Sequence, residues 1–367
     1  MRTGLRTAGT VAAGLLLSLV APPPSAHAVG CAGRTATIVG TSGRDHIRGT
    51  SGPDVIAALG GSDLVQGLGG RDIICGGGGA DLLQGGGGAD IIRGGAGGDI
   101  IEGGPGADRL YGNGGSDFID GGAGRDVIRG GGGATDLLRG RGGNDRLFGG
   151  GGFDILIGDG GNDFFDGGPG RVDLVTFVRA RRGVTVNLTT GRATGEGRER
   201  IRRVEDVEGT RFDDVLIGNR RQNFLVPLGG DDFVDGKGGI DQILFLASQN
   251  PVTMDLAAGT ATGEGTDTLA GVAGAYGSVF DDTLIGDDNP NFLFGWEGDD
   301  TIHGLGGDDI LDGDLGNDQA DGGEGFDICA NFENGSPPPN CESTQLPSSL
   351  EGIRSPMALA AIHRMLD

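Results

Sequence analysis

Aromatic residues, histidine and lysine are all scarce in this chain. Only 5% of the 367 residues are aromatic, four are His and one, Lys237, is Lys, whereas 82 are Gly. Glycine brings no apolar surface to bury, so the composition argues against a single thick hydrophobic core. It favours a thin solenoid in which each repeat buries a little against its neighbours. Disorder would fit the glycine content alone, but the strict period described below argues against it.

Recognisable catalytic motifs are also missing. The sequence contains no His-Glu-x-x-His zinc motif, no Gly-x-Ser-x-Gly nucleophile elbow and no P-loop. Tyr111, Tyr276 and Trp296 are too sparse to line a sugar cleft. We therefore expect a protein that is not an enzyme. The alternative is an extracellular enzyme acting on polysaccharide, which would need a cluster of carboxylate, Arg and His or Tyr on one face.

Charge and targeting signals limit the partners. The formal net charge is −24, which disfavours nucleic acid and anionic lipid and favours cations. Residues 1–28 resemble a secretory signal peptide: Arg2 and Arg6 precede an apolar run over Ala8–Val20, and Ala26-His27-Ala28 offers a cleavage site. That run is too short to span a bilayer, and no other segment is long enough. We expect a secreted, extracellular protein with no transmembrane segment.

Four cysteines in an exported chain predict two disulfides. Three pairings are possible. We favour Cys31–Cys75 with Cys329–Cys341, because these pairs bracket opposite ends of a long solenoid and would fix its terminal coils. Free thiols are one alternative, and lipidation of Cys31 within Val29-Gly30-Cys31 is another.

The dominant feature is a nine-residue repeat, Gly-Gly-x-Gly-x-Asp-x-aliphatic-x, whose positions we number 1 to 9. Its Asp recurs every nine residues from Asp45 to Asp126, and a one-residue insertion near Ala134 moves the next one to Asp136. The period then continues to Asp163, and a second slip places Asp173. An ordinary core needs no carboxylate at a fixed period behind a glycine loop, whereas a repeating metal site does. Calcium prefers six to eight hard oxygens, and glycines at positive φ can turn carbonyl groups toward a common point.

Gly85-Gly86-Gly87-Gly88-Ala89-Asp90-Ile91-Ile92-Arg93 and its neighbours resemble the RTX, or hemolysin-type, calcium-binding repeat family over roughly two thirds of the chain. The resemblance implies an all-β, parallel β-roll or β-solenoid, in which two nonapeptides form one 18-residue coil, and it implies Ca²⁺ as the ligand. The expected metal ligands all hold position 6 of a repeat: Asp63, Asp72, Asp81, Asp90, Asp99, Asp108, Asp117, Asp126, Asp136, Asp145, Asp154, Asp163, Asp214, Asp232, Asp282, Asp300, Asp309, Asp318 and Asp327. Asn223 and Asn291 hold the same position without a charge, so we expect their turns to bind calcium more weakly.

After Asp173 a larger repeat begins. Val184-Thr185-Val186-Asn187-Leu188 recurs 68 residues later as Val252-Thr253-Met254-Asp255-Leu256, and Phe212–Gly218 recurs as Phe280–Gly286. Each unit opens with a hairpin-like spacer and closes with nonapeptides. We therefore expect a signal peptide over 1–28, a first repeat array over 29–176, one unit over 177–244, a second unit with terminal repeats over 245–330, and a tail over 331–367.

Side-chain alternation predicts which positions face the core. The aliphatic residue at position 8 should point inward, so position 7, which is often apolar, should point outward. The outward apolar residues fit either tolerated surface β-propensity or a strip that binds a partner or self-associates. The sequence thus predicts a secreted calcium-binding protein that folds on binding calcium, with an extracellular adhesin or scaffold role. A cell-surface or extracellular polymer is a possible partner.

Overall fold

The computed structural model describes residues 29–170, 172–332 and 338–344. These residues form strands and turns and contain no helix. No helix among them is therefore long and apolar enough to cross a membrane. The predicted signal peptide at 1–28 and residues 345–367 of the predicted tail lie outside the described residues.

The first repeat array consists of short strands joined by glycine turns. After a two-stranded antiparallel piece, β1 (Gly30–Cys31) and β2 (Arg34–Thr35), the strands are β3 (Ile38–Val39), β4 (His46–Arg48), β5 (Val55–Gly60), β6 (Leu64–Gly69), β7 (Ile73–Gly78), β8 (Leu82–Gly87), β9 (Ile91–Ala96), β10 (Ile100–Gly106), β11 (Arg109–Gly114), β12 (Phe118–Gly124), β13 (Val127–Gly142), β14 (Arg146–Gly160), β15 (Phe164–Asp166) and β16 (Leu174–Thr176).

Parallel pairing stacks every second strand, so one coil is 18 residues long. Ile91 pairs with Ile73 and Arg109 with Ile91 in the first sheet, while Ile100 pairs with Leu82 in the second. Two sheets therefore alternate along the chain, as predicted for a parallel β-solenoid. The position-8 side chains form its core and are fully buried: Val65, Ile74, Leu83, Ile92, Ile101, Leu110, Ile119 and Ile128. The predicted inward orientation is confirmed.

The inserted residue near Ala134 is absorbed at a turn. The register between β13 and β14 shifts between Gly132 and Thr135, and the strands regain their alignment at Asp136. Both strands are long because each runs through this turn from the first sheet into the second. One extra residue at a turn therefore changes the chain numbering of the ladder but not its geometry.

Each 68-residue unit contributes a three-stranded antiparallel insertion to the first sheet. The strands of the first unit are β17 (Thr185–Asn187), β18 (Arg192–Thr194), β19 (Arg198–Arg202), β20 (Asp206–Thr210), β21 (Val215–Ile217), β22 (Phe224–Leu228), β23 (Phe233–Asp235) and β24 (Gln242–Leu244). Those of the second unit and the terminal repeats are β25 (Thr253–Asp255), β26 (Thr260–Thr262), β27 (Thr266–Ala270), β28 (Gly274–Tyr276), β29 (Thr283–Ile285), β30 (Phe292–Glu297), β31 (Thr301–Gly306), β32 (Ile310–Leu315), β33 (Gln319–Glu324) and β34 (Ile328–Ala330).

These insertions lengthen only one of the two sheets. In the first sheet the order is β15-β19-β18-β17-β21, whereas β16 pairs directly with β20 in the second. The second unit repeats this arrangement with β27-β26-β25. At ~4.8 Å per strand, two added strands per unit lengthen the first sheet by about 10 Å each time. Packing this longer first sheet against the shorter second sheet would favour a bend of the solenoid toward the second sheet.

The outward face of the second sheet agrees with such a bend. From β14 to β30 its outward side chains form a second buried apolar cluster, which includes Ile157, Leu174 and Phe224. Tyr276 and Phe294 stack within it at 4.4 Å between ring centroids. In the first array, by contrast, position-7 residues such as Ile73 are half-buried and Ile100 is exposed. A bend toward this face would bring the outward side chains of successive strands together and remove them from water.

Disulfides close both ends of the described solenoid. Cys31 pairs with Cys75, and Cys329 pairs with Cys341, with Cα atoms 5.8 Å apart in each pair. No free cysteine is present among the described residues. Of the three possible pairings, the favoured one is confirmed.

Candidate metal centre

Ladder carboxylates are buried and linked from coil to coil. The Oδ1 atom of Asp90 accepts a hydrogen bond from the backbone N–H of Asp72 at 2.8 Å. The N–H of Asp90 donates in turn to Oδ1 of Asp108, also at 2.8 Å. This pattern repeats along both edges of the solenoid, and one oxygen of each such carboxylate is thereby fixed. The structure thus places consecutive ladder residues of one edge one coil apart, as the 18-residue spacing predicts.

The second oxygen of most ladder carboxylates is buried and has no hydrogen-bond partner among the described residues. Because an unsatisfied buried polar atom costs free energy, a row of them needs a physical reason. The predicted ligands whose Oδ2 atom is buried and unpaired in this way are Asp63, Asp72, Asp81, Asp90, Asp99, Asp108, Asp117, Asp126, Asp136, Asp145, Asp154, Asp163, Asp232, Asp300, Asp309 and Asp327. Asp173 and Asp241, which we did not count among the expected ligands, share this feature. Asp318 accepts the N–H of Asp300 through Oδ1 in the same way as the rest of the ladder.

Position 1 is glycine in most repeats, where the free oxygen approaches it closely, although Ala58 and Pro227 hold this position before Asp63 and Asp232. A methyl group built on Gly85 would lie 2.6 Å from Oδ2 of Asp90 and 2.7 Å from the carbonyl oxygen of Gly103, one coil further on. At Gly103 the corresponding distances, to Oδ2 of Asp108 and the carbonyl oxygen of Gly121, are both 2.6 Å. A carboxylate oxygen and a carbonyl oxygen therefore converge on one small space. Two negative oxygen atoms facing each other there are suited to a cation.

Positive φ angles at positions 2 and 4 shape the turn. In the repeat of Asp90, Gly86 has φ of 94° and Gly88 has φ of 148°. Side chains rarely tolerate these values, and a Cβ on Gly88 would also collide with the Gly70 carbonyl group. The glycines of the motif thus allow consecutive loops to stack with their backbones in contact.

Burial makes the ladder carboxylates resist ionisation when no cation is present. Loss of solvation raises the pKa of Asp108 and of Asp145 to about 7. It raises the pKa of Asp232 to about 8, with a further contribution from the neighbouring charges of Asp267 and Asp214. Since the causes are burial and like charge, a bound cation would act against both.

A different turn is found wherever Thr or Ser replaces glycine at position 2. The N–H and hydroxyl group of Thr210 both donate to the carboxylate of Asp214, while the same hydroxyl accepts the N–H of Phe212. Ser278 contacts Asp282 in the same manner. The Oδ1 atoms that accept these hydroxyl groups also accept the N–H groups of Val184, at Asp214, and of Val252, at Asp282.

These turns are therefore satisfied by hydrogen bonds within the protein. Thr41 and Thr50 close the turns of Asp45 and Asp54 in the same way. Asp214 and Asp282, both expected ligands, thus differ from the ladder residues with a free oxygen. Every such turn is the first of its edge, or follows a spacer, and has no nonapeptide loop one coil before it.

The two asparagines of the ladder also need no cation. Oδ1 of Asn223 accepts the N–H of Asn219, and its amide group donates to the carbonyl oxygen of Glu205 at 2.6 Å. An N–H group thus occupies the place where other repeats present a second carboxylate oxygen. This agrees with the expectation that the asparagine turns bind calcium less well.

Four acidic residues outside the nonapeptides extend the ladder, and the sequence did not identify them; one of them, Glu205, accepts the N–H of Asp173 at 3.3 Å. Glu199 and Glu342 accept the N–H groups of Asp163 and Asp327, both at 2.6 Å, and Asp267 accepts that of Asp232 at 3.1 Å. Oε1 of Glu199 is buried without a partner. The duplication was the sequence signal that could have identified Glu199 and Asp267, because these positions are equivalent in the two units and both are acidic.

No three acidic, His or Cys side chains of the described residues converge on one point. A cation at the ladder would thus take one carboxylate from each loop and draw its other oxygens from the backbone. This set of hard oxygens suits Ca²⁺, which accepts backbone carbonyls and irregular geometry, better than a metal that prefers nitrogen or sulfur.

A comparison of the sequence with family models also associates these repeats with calcium. The sequence model of the RTX calcium-binding nonapeptide repeat matches residues 39–74, 76–110, 102–137, 139–172, 208–243, 276–311 and 297–329. Together these segments cover more than half of the chain. No curated protein matches the chain.

Proposed function

Because this chain belongs to the RTX calcium-binding nonapeptide repeat family, we propose that it is a secreted, non-enzymatic protein that binds calcium along its aspartate ladder and folds as the ions bind. The observation that carries this proposal is the row of buried Oδ2 atoms that lack a hydrogen-bond partner. A hard cation is the partner that such a row requires, and the converging glycine carbonyl groups supply further oxygen ligands.

In this proposal the ligands are the expected position-6 aspartates with the exception of Asp214 and Asp282. Those two are excluded because both of their carboxylate oxygens accept hydrogen bonds. Asp173 and Asp241 join the set, since they share the free oxygen, as does Glu199 at the junction with the first spacer.

Calcium binding and folding are coupled because the site exists only when two coils are stacked. Without metal, neighbouring carboxylates ~4 Å apart would repel by about 1 kcal/mol even at the dielectric constant of water, and by more near a protein surface. Glycine loops also lose much backbone entropy on ordering. Bound calcium supplies positive charge and coordination that offset both costs, so we expect the chain to be largely unfolded in low calcium.

The disulfides support a location outside the cell. Bonds such as Cys31–Cys75 persist in oxidising compartments and are rare in the cytosol. In such a compartment, calcium is available at concentrations that can fill binding sites of modest affinity. A repeat array stabilised by calcium is suited to a surface scaffold or adhesin.

The experiment that tests this function is a calcium titration of the chelated protein followed by far-UV circular dichroism. We expect a coil-to-β transition at roughly 10⁻⁴–10⁻³ M calcium, the range of extracellular modules. Magnesium at the same concentrations should not replace calcium, because it demands a tight octahedron and releases its water reluctantly. A chelated sample whose spectrum already matches that of the calcium-loaded protein would refute the proposal.

A further inference from the structure

The two 68-residue units share a backbone but not a charge. Residues 177–244 contain 11 Arg and the only Lys, whereas residues 245–312 contain neither Arg nor Lys. Their strands nevertheless pair in the same order and register. The fold of the unit therefore does not require these cations, and their concentration in one copy needs another explanation.

Five arginines surround an open pocket of about 640 Å³ on the outer face of the first sheet, where the first spacer joins the repeat array. They are Arg125, Arg146, Arg192, Arg198 and Arg200, and all are exposed. Strand β19 supplies two of them, β18 supplies one, and the last coils of the first array supply the others.

None of these five arginines takes part in an ion pair among the described residues. Arg192 lies directly opposite Arg200 in the antiparallel register of β18 and β19. Like charges placed directly across a strand pair destabilise a sheet. The protein thus maintains a local excess of positive charge in a chain whose net charge is −24.

The second unit shows what this surface contains when no such cluster is present. Residues 260, 266 and 268, which are equivalent to the arginines at 192, 198 and 200, are all Thr. Thr260 and Thr268 form the same opposed pair that Arg192 and Arg200 form in the first unit.

The residues beside these positions also make the first unit more positive than the second. Next to Arg198 stand the neutral Asn162 and Asn144, and Asn162 accepts the N–H of Arg198. Next to Thr266 stand Asp231 and Asp213, and Asp231 accepts the N–H of Thr266. Positive charge is thus added and negative charge removed at the same place in the first unit.

The pocket also offers an apolar surface. Phe164 lines it between Arg146 and Arg200 in the register of the first sheet. Its ring lies 5.7 Å from that of Phe148, over which the guanidinium group of Arg129 is placed at 4.2 Å. An aromatic ring flanked by guanidinium groups can pack against the apolar face of a ring-shaped ligand while the arginines bind its anionic groups.

We propose that this arginine pocket binds an acidic polysaccharide that carries one carboxylate per sugar unit. The planar guanidinium group matches a carboxylate in a bidentate geometry, Phe164 supplies a surface for the sugar ring, and the pocket opens to solvent. The buried ladder residues Asp145, Asp163 and Glu199 also line it, but their fixed oxygens accept backbone N–H groups of the preceding coil.

A densely charged polyanion fits this surface less well. Duplex DNA carries one charge per ~1.7 Å of its axis and would extend beyond the pocket over strongly acidic surface. A uronate chain has a lower charge density, so a short stretch can use the arginines without that repulsion.

The test is calorimetric titration of the full calcium-loaded chain with short oligogalacturonides, too short to gel with calcium. The variant Arg192→Thr/Arg198→Thr/Arg200→Thr places in the first unit the residues that the second unit already tolerates. We expect at least tenfold weaker binding than in the parent, with an unchanged far-UV spectrum in calcium. The matched control, Arg34→Thr/Arg44→Thr/Arg48→Thr, makes the same change in net charge at a distant site and should bind as the parent does.

Several outcomes would overturn the proposal. Equal affinity of the parent and the first triple variant would show that the pocket is not the site, and equal weakening in both triple variants would show a general charge effect. Tighter binding of a short DNA duplex to the same arginines would assign the pocket to nucleic acid. Self-association that the first triple variant abolishes, with no heat from the oligosaccharide, would assign it to a second copy of the chain. The spectrum in calcium reports separately on the proposed calcium function.

Discussion

Replacing Asp90 separates the two tasks that the structure gives to a ladder carboxylate. Oδ1 accepts the N–H of Asp72, and Oδ2 has no protein partner and would bind the ion. Asp90→Ala removes both functions. Asp90→Asn keeps an oxygen for the N–H of Asp72 and removes only the charge.

The magnitudes follow from these contacts. Leaving the buried N–H of Asp72 without an acceptor costs about 1–3 kcal/mol. Losing one ion at calcium about 100-fold above its Kd costs about 2.7 kcal/mol. We therefore expect Asp90→Ala to lower the free energy of unfolding by about 4–6 kcal/mol, and Asp90→Asn to lower it by at most about 3 kcal/mol.

Asp45→Ala is the matched control, because the half-buried Asp45 is closed by Thr41 and has no loop one coil before it. Its loss should cost about 1 kcal/mol, the net contribution of ordinary hydrogen bonds. The assay is urea unfolding at saturating calcium, followed by far-UV circular dichroism. Equal losses for Asp90→Ala and Asp45→Ala would refute the stacked metal ladder, and an Asp90→Asn variant as stable as the parent would show that no ion depends on this carboxylate.

Three further predictions address charge, pH and the covalent links. Asn223→Asp should raise the calcium sensitivity of folding. The side-chain amide group of Asn223 donates to the carbonyl oxygen of Glu205, and the substitution puts a second carboxylate oxygen in its place. An unchanged calcium midpoint of folding would contradict this prediction. In calcium-free solution the folded chain holds more protons than the unfolded chain between about pH 4 and about pH 7, because burial raises ladder pKa values such as that of Asp108 to about 7. Folding without calcium should thus weaken as the pH rises through this window, and a calcium-free β-signal that is independent of pH would be inconsistent with it. Removing Cys31–Cys75, which closes 44 residues, should cost about 4 kcal/mol, against about 3 kcal/mol for the 12-residue Cys329–Cys341 link; urea unfolding of the paired Cys→Ser variants tests the order.

Periodicity was enough to predict the core and the ladder of the regular arrays. The nine-residue spacing predicted that Ile92 would point inward and that Asp90 would lie one coil from Asp72, because identical repeats can stack in only one register. The same reasoning did not separate Asp214 from Asp232. Their sixth positions are alike, and the difference lies four residues earlier, where Thr210 donates its N–H and hydroxyl group to the carboxylate of Asp214 and the repeat of Asp232 has Leu228 instead.

The lengthening of the first sheet was not predicted, because it depends on pairing and not on any one segment. The sequence indicated a hairpin-like spacer, but not that β18 would pair with β19 as well as with β17 and so add two strands to the first sheet. The role of Glu199 was not predicted for the same reason. It lies in a strand without a glycine motif and joins the ladder only because β19 stacks on β15.

The position of the hydrogen-bonded turns bears on how the ions are shared. Thr41, Thr50, Thr210 and Ser278 close turns that start an edge or follow a spacer, where no nonapeptide loop lies one coil before. Turns that do have such a loop leave Oδ2 free, as at Asp90. If each ion needed only its own loop, the first turns would have no reason to differ. Their hydroxyl groups satisfy the carboxylate at these first turns, and we infer that each calcium is bound between two consecutive loops of one edge. An ion lost at one loop therefore also deprives its neighbour of a contact, and this sharing couples the coils of the solenoid to one another.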